Sequence, residues 1–342
     1  MKKLVIKDIA KLAGVSYSAV SKTINNYPDI SKETREKIQK IISKHNYCPS
    51  KSAQALRSGK NNNIAFMSGR IASHFTVDIL GAIERRTFVT GKHVHGIIPY
   101  STNYDTAIMN EIFDKILYGR EAAAIVALAM NPLPGILQKH RKAGIPVILI
   151  ENFMKDVHTV NIDNKRAGFM AAEYLIKSGR KNIEIICGGL KAGSKFGYSY
   201  AAVERKAGFD EALKQYGVKS GDKYLSQCGY YTISEGMEIF DRMMKKGKTP
   251  GAIFCASGDM TAVGVMESAK KHGLKIPDDL AVVGFDDSEC SAFVNPPLTT
   301  IRQPIEKIGA EVFDIAVEAI RGNIKGFRHV VVEPELIIRT SA

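Results

Sequence analysis

Ile6, Ile9, Ala10 and Ala13 fall at i, i+3, i+4 and i+7, while Lys3, Lys7, Asp8 and Lys11 lie off that stripe. The spacing predicts a surface helix with one buried face. Gly14-Val15-Ser16 interrupts it: Gly14 can enter a turn at no Cβ cost, and Ser16 offers an oxygen to the N–H groups opening the next helix. In that second helix Val20, Thr23 and Ile24 are expected to face the core, leaving Tyr17, Ser18, Ser21, Lys22 and Asn25 outward. A third helix opens at Ser31, with Glu33 and Thr34 in its first turn, and runs through Ile38, Ile41 and Ile42 to Tyr47.

From Ile64 the pattern changes. Short apolar runs at residues 64–67, 93–98, 122–128, 146–150, 183–187, 252–255 and 280–285 alternate with helical stretches, as buried parallel strands with helical crossovers do. The spacing repeats before and after about residue 162, which predicts two doubly wound lobes; 282 residues are too many for one hydrophobic centre. Between head and lobes, SKSAQALRSGK is too short to be a stable helix alone. It reads either as a plain linker or as a helix that orders on the DNA minor groove with Leu56, its single large apolar residue, as a wedge.

Charge sharpens the reading of the head. Residues 1–60 hold 13 Lys or Arg against four Asp or Glu, a net +9 of the chain's total +13, so the other 282 residues are nearly balanced. A small three-helix unit with that excess, and with short polar donors on its second helix, suits phosphates and base edges in a major groove.

These segments carry a resemblance. IKDIAKLAGVSYSAVSKTIN, ISKETREKI, HNYCPS and AQALRSGK resemble the head and hinge of the lactose-repressor and galactose-repressor (LacI/GalR) family. VNIDNKRAG, ERKAGFDEAL, GLKIPDDLAVVGFDD and PPLTTIRQP resemble its effector-binding core. The resemblance implies an α/β two-lobed core of the periplasmic-binding-protein type, two doubly wound parallel sheets, preceded by an all-α helix-turn-helix head. It implies a head over residues 1–48 and a hinge over 49–62. The first lobe is then 63–161 with about 291–321, and the second 162–290 with about 322–342, the chain crossing near 161, 290 and 321. In the head, Tyr17, Ser18 and Lys22 would read base edges, while Ser16, Ser21, Asn25, Ser31 and Thr34 suit phosphates. Many relatives have Arg at the Lys22 position, and Lys lacks its planar fork.

Ligands of open α/β sheets sit outside the carboxyl ends of the strands, so two facing lobes should enclose a cleft. Arg205 and Asp286 are candidates on chemistry, the first for paired donation and the second, just after LAVVGF, as an acceptor. The resemblance places effector contacts at both, assigns Asp287 to the turn, and sets His74, Phe75 and Tyr231 against the ligand. In CASGDMTAVG the family usually has Asn before the Asp; here Gly258 loses that amide contact while Asp259 keeps the carboxylate, and the resemblance implies that Asp259 binds the effector. Arg70, His74, His95, Lys195 and Tyr198 are individual to this chain, which leaves a sugar or related metabolite and a phosphorylated or acidic ligand both open.

The expected protein is therefore a homodimeric, cytoplasmic regulator, a repressor by preference, binding a near-palindromic double-stranded operator under control of a small-molecule effector, inducer or corepressor. No membrane partner, cofactor or metal is expected: the longest apolar run is 122–130, and Cys48, Cys187, Cys228, Cys255 and Cys290 are scattered. A solute-binding protein would share the core but should carry an export signal and no basic head. An enzyme should show a glycine-flanked nucleophile, a P-loop or a metal triad, and none is present.

Overall fold

The computed structural model describes residues 4–24, 27–45, 47, 61–91, 96–193, 197–219, 225–247 and 249–342. They form two units, Met1–Asn61 and Asn62–Ala342.

The first unit contains α1 (Ile6–Ala13), α2 (Tyr17–Ile24) and α3 (Lys32–Lys44). Gly14 sits at φ 64° and ends α1, and the Val15 N–H donates back to the Ala10 carbonyl at 3.1 Å. Ser16 Oγ then accepts from the Ala19 N–H at 3.2 Å, starting α2 after a break of three residues. Ile9, Ala10, Ala13, Val20 and Ile38 form the buried centre, with Ile6, Ile24, Ile41 and Tyr47 at its edge.

The second unit has two six-stranded sheets. The first contains β1 (Ile64–Ser68), β2 (Ile97–Ser101), β3 (Ala124–Leu128), β4 (Val147–Ile150), β5 (His158–Ile162) and β11 (His329–Val332), ordered β11-β5-β4-β3-β1-β2 and parallel throughout. The second contains β6 (Ile183–Cys187), β7 (Leu225–Gln227), β8 (Ala252–Cys255), β9 (Ala281–Asp286), β10 (Thr299–Arg302) and β12 (Glu335–Ile337), ordered β12-β10-β9-β8-β6-β7, with only the β10–β12 pair antiparallel. Central strands β1, β3, β4, β6 and β8 are buried along their whole length, which is why they read as unbroken apolar runs. The crossover helices are α4 (His74–Val89), α5 (Thr106–Gly119) and α6 (Pro134–Lys142) in the first lobe, and α7 (Asn164–Lys177), α8 (Tyr200–Gln215), α9 (Ile233–Lys245) and α10 (Asp259–Lys271) in the second.

The strands correct two of the lobe boundaries. β10 belongs to the second sheet and β11 to the first, so the chain crosses after Arg302 and again after Val332, not near 290 and 321. Residues 291–302 thus stay with the second lobe. Between the last two crossings α11 (Ile305–Ile320) packs on α4, where a Cβ on Gly309 would lie 2.5 Å from that of Ala82. The polar composition of β10, TTIR, hid it: Thr299 and Thr300 are fully buried because the Thr299 hydroxyl accepts from the Arg339 backbone N–H and the Thr300 hydroxyl donates to the Asp259 carboxylate. The first crossing follows Ile162, and there the Asp163 N–H donates to the Val332 carbonyl at 3.0 Å, which sets the first and third crossings side by side. Among the described residues no helix is long and apolar enough to cross a membrane.

Candidate functional site

A cleft of about 1020 Å³ opens at the carboxyl ends of both sheets. The first lobe supplies Ser68 to Thr76 by way of the β1–α4 turn, Tyr104 after β2, Asn131 after β3 and Glu151 directly after β4. The second supplies Tyr198, Arg205, Tyr230, Tyr231, Gly258 and Asp286.

Arg205 is brought into place by helix packing. Ser199 caps α8 by accepting from the Ala202 N–H, and Asp163 caps α7 by accepting from Arg166. The two helices then meet at backbone contact: a Cβ on Gly168 would lie 2.0 Å from the Arg205 carbonyl oxygen, and one on Gly208 would lie 1.8 Å from that of Lys165. With both positions glycine, Arg205 is drawn against the start of α7. Its Nε donates to Asn164 Oδ1 at 2.7 Å, Nη1 donates to the Ala256 carbonyl at 2.9 Å, and Nη2 is bound by the carboxylate of Glu151. The guanidinium carbon lies 3.6 Å from the centre of the Phe285 ring. The residue is 6% exposed. The Glu151 pair is therefore a buried salt bridge between lobes.

Asp286 lines the cleft beside it, at φ 106°, and accepts from Gln303 Nε2 at 2.7 Å. Loss of water, then the nearby Asp259 charge, push its carboxyl well above the usual range, with Arg205 opposing. A Cβ on Gly258 would stand 3.0 Å from Asp286 Oδ2, so the missing side chain at 258 leaves that oxygen room. Tyr231, His74 and Phe75 also line the cleft. The Tyr231 loop is anchored by Glu235, whose carboxylate accepts from the N–H groups of Gly229, Tyr230 and Tyr231 at 2.7, 2.8 and 3.0 Å. Thr232 caps α9 by accepting from the Glu235 N–H at 3.2 Å, so a Thr-x-x-Glu capping signal was legible in the sequence.

Asp259 is a correction. It is completely buried and does not line the cleft; its carboxylate faces away, accepting from Thr300 Oγ1 at 2.6 Å, the Ser288 N–H at 2.7 Å and Ser291 Oγ at 2.8 Å. It ties the start of α10 to the loop after β9 and to β10. Burial raises its carboxyl to about 6, with these bonds holding it back. Asp287 ties the same turn to Arg302 and Arg339, each at 2.7 Å.

Glu151 was missed by sequence reasoning. Its place directly after the apolar run ending at Ile150 was the signal, since that is where cleft residues fall. Asn131 was missed too; its amide donates to the Tyr198 carbonyl of the other lobe at 2.9 Å.

In the head, Ser18 is exposed and Tyr17, Ser21 and Lys22 are half-buried on α2. Tyr17 is thus less outward than its place in the pattern predicts. Lys22 Nζ is held by the Asp29 carboxylate. Ser31 caps α3, accepting from the Thr34 N–H at 3.3 Å and donating to Thr34 Oγ1 at 2.8 Å. Ser16 and Ser31 thus both stand at helix N-termini, where backbone N–H groups favour anions. Asn25 and Leu56 lie outside the described residues.

A helix-turn-helix head on the same chain as a two-lobed cleft defines a ligand-responsive DNA-binding regulator. The sequence pattern of bacterial regulatory proteins of the lacI family matches residues 5–50, and that of the periplasmic binding protein-like domain matches residues 172–342. The chain is 31% identical over 344 aligned residues to the HTH-type transcriptional regulator DegA of Bacillus subtilis (strain 168), covering 99% of this chain and 98% of that one. It is 28% identical over 340 residues to the HTH-type transcriptional repressor PurR of Histophilus somni (strain 129Pt), covering 98% of each. Its fold is similar to that of the lac repressor dimer bound to operator and the anti-inducer ONPF, with a TM-score of 0.84 at 23% identity over 99% of both chains. The chain belongs to the lacI family. It is a transcriptional regulator, controlled by a small-molecule effector, and not an enzyme.

Proposed function

We propose that the chain acts in the cytoplasm as a homodimeric repressor whose paired heads bind a near-palindromic operator, and whose affinity is set by a sugar or related small metabolite in the cleft. The observation that carries this reading is the Arg205–Glu151 pair, a ligand-accessible contact that joins the two lobes. A molecule that binds there acts on the lobe arrangement by differential affinity for its states. Arg205, Glu151 and Asp286 would supply polar contacts, with His74, Phe75 and Tyr231 beside them. In the head, Tyr17, Ser18 and Lys22 would read bases, and Ser16, Ser21, Asn25, Ser31 and Thr34 would hold phosphates, with Leu56 as the central wedge. The lac repressor structure, a dimer on operator with an anti-inducer, supports the assembly by analogy of fold.

The test is selection of randomised duplex DNA on the purified full-length chain, with and without a metabolite extract. An enriched palindrome whose retention changes with the extract is expected. Enrichment of a single half-site would overturn the dimer, and indifference to every extract fraction would overturn the effector role.

A further inference from the structure

We infer that Glu151 is a built-in counter-anion for Arg205, a specificity-determining residue that turns the cleft against ligands presenting a carboxylate or phosphate and toward uncharged hydroxyl or carbonyl ligands. The inference rests on the reading of the cleft as the effector site.

A guanidinium has five N–H donors. In Arg205 one goes to Asn164, one to the Ala256 carbonyl and one to Glu151, and its face lies on Phe285. Two N–H groups remain, enough for a neutral acceptor, but the positive charge has already been matched. An anion arriving at Arg205 would meet the Glu151 carboxylate, whose side chain is 13% exposed. With both side chains of the pair largely buried, that repulsion is weakly screened.

Glu151 is held there by more than its charge. Its φ is 56°, a conformation that non-glycine residues rarely adopt, and the following residue is pinned on several sides. Asn152 Nδ2 donates to the Met130 carbonyl at 2.5 Å and to Asn131 Oδ1 at 2.9 Å, its Oδ1 accepts from the Phe153 N–H at 2.7 Å, and its carbonyl accepts from Asn161 Nδ2 at 2.9 Å. The turn after β4 therefore aims the carboxylate into the cleft. The alternative of an acidic or phosphorylated effector, open on the sequence because Arg70 and His74 are nearby, is disfavoured at Arg205.

The experiment is thermal unfolding of the full-length chain titrated with sodium acetate, and separately with inorganic phosphate, at constant ionic strength maintained with chloride. Wild type, R205Q, E151Q, E151A and E151Q/R205Q are compared, and only the part of each response that depends on Arg205 is counted. This subtracts phosphate binding at the basic head. Wild type is expected to show no Arg205-dependent response, and E151Q a saturable rise in melting temperature with at least tenfold tighter apparent anion binding, lost in E151Q/R205Q. An Arg205-dependent response in wild type overturns the inference, as does a flat response in E151Q; E151A decides the second arm if E151Q does not fold. No operator is needed. Failure of the regulatory reading would appear in the DNA selection and leave this outcome intact.

Discussion

The ammonium of Lys22, in the last turn of α2, is bound by the carboxylate of Asp29, in the turn leading to α3. The bond holds the Asp29 carboxyl below its usual range. With the Lys22 and Asp29 side chains 41% and 53% exposed, the pair does little for stability; on the proposed reading of the head, Asp29 would compete with phosphates and base edges for the same cation. Asp29→Asn should tighten binding to operator and scrambled DNA alike, and steepen the dependence of log affinity on log salt by up to about one. Fluorescence anisotropy at four salt concentrations would measure this, and an unchanged slope would show that Lys22 makes no additional ionic contact.

The Gly168 and Arg205 backbones are in contact, so Gly168→Ala must push α7 and α8 apart. Overpacking of this kind costs about 3 kcal/mol. Denaturant unfolding should register it, and the effector dose response should move to higher concentration because Arg205 moves with its helix.

Removing the guanidinium tests the cleft directly. Arg205→Ala or Asp286→Ala should abolish the response to effector while operator binding in its absence is retained. An unchanged dose response in either variant would remove that residue from the site.

Asp259 should behave as a structural residue. Asp259→Ala leaves the Ser288 N–H and the Ser291 and Thr300 hydroxyls without their acceptor, at a cost of about 2 to 4 kcal/mol. The effector midpoint of the folded variant should stay within about threefold of wild type, a difference under about 0.7 kcal/mol.

The same residue gives a pH signature. Its folded carboxyl titrates near 6, above the ordinary carboxylate value, so the folded state takes up a proton before the unfolded state does. Stability associated with Asp259 is therefore gained as pH falls from about 6 toward 4, and its ionised form at neutral pH carries a penalty of order 3 kcal/mol. His158 runs the other way, since burial lowers its affinity for a proton and acidification then costs stability. The measurable quantity is the difference between wild type and D259N: wild type should gain relative to the variant across that window. A pH-independent difference would contradict the assignment.

How much of this was legible depended on how each residue satisfies its polar atoms. The runs ending at Leu128, Ile150 and Cys187 were visible because parallel strands covered on both faces carry little but apolar side chains. β5, HTVNI, is just as buried, yet His158, Thr159 and Asn161 interrupt its hydrophobicity; His158 accepts from the Arg328 N–H and Asn161 donates to the Asn152 carbonyl. No periodicity reveals such a strand. Asp259 and Asp286 are both carboxylates near strand ends, and the sequence does not say that one points to the cleft and the other to Ser291 and Thr300. Arg205 was legible through its motif. Its partner Glu151 was not, because the salt bridge between lobes joins positions 54 apart, one in the turn after β4 and the other on α8.

The three crossings between lobes leave β5, β10 and β11, strands at or next to one edge of each sheet, and two of them carry Pro304 and Pro334, whose rings restrict the backbone. Bound together there, the lobes share a spine, as the covers of a book do, and cannot readily slide apart. Any opening of the cleft would pivot about that edge and be widest at β2 and β7 on the opposite edges. A molecule seated between the pages would then be sensed as an angle.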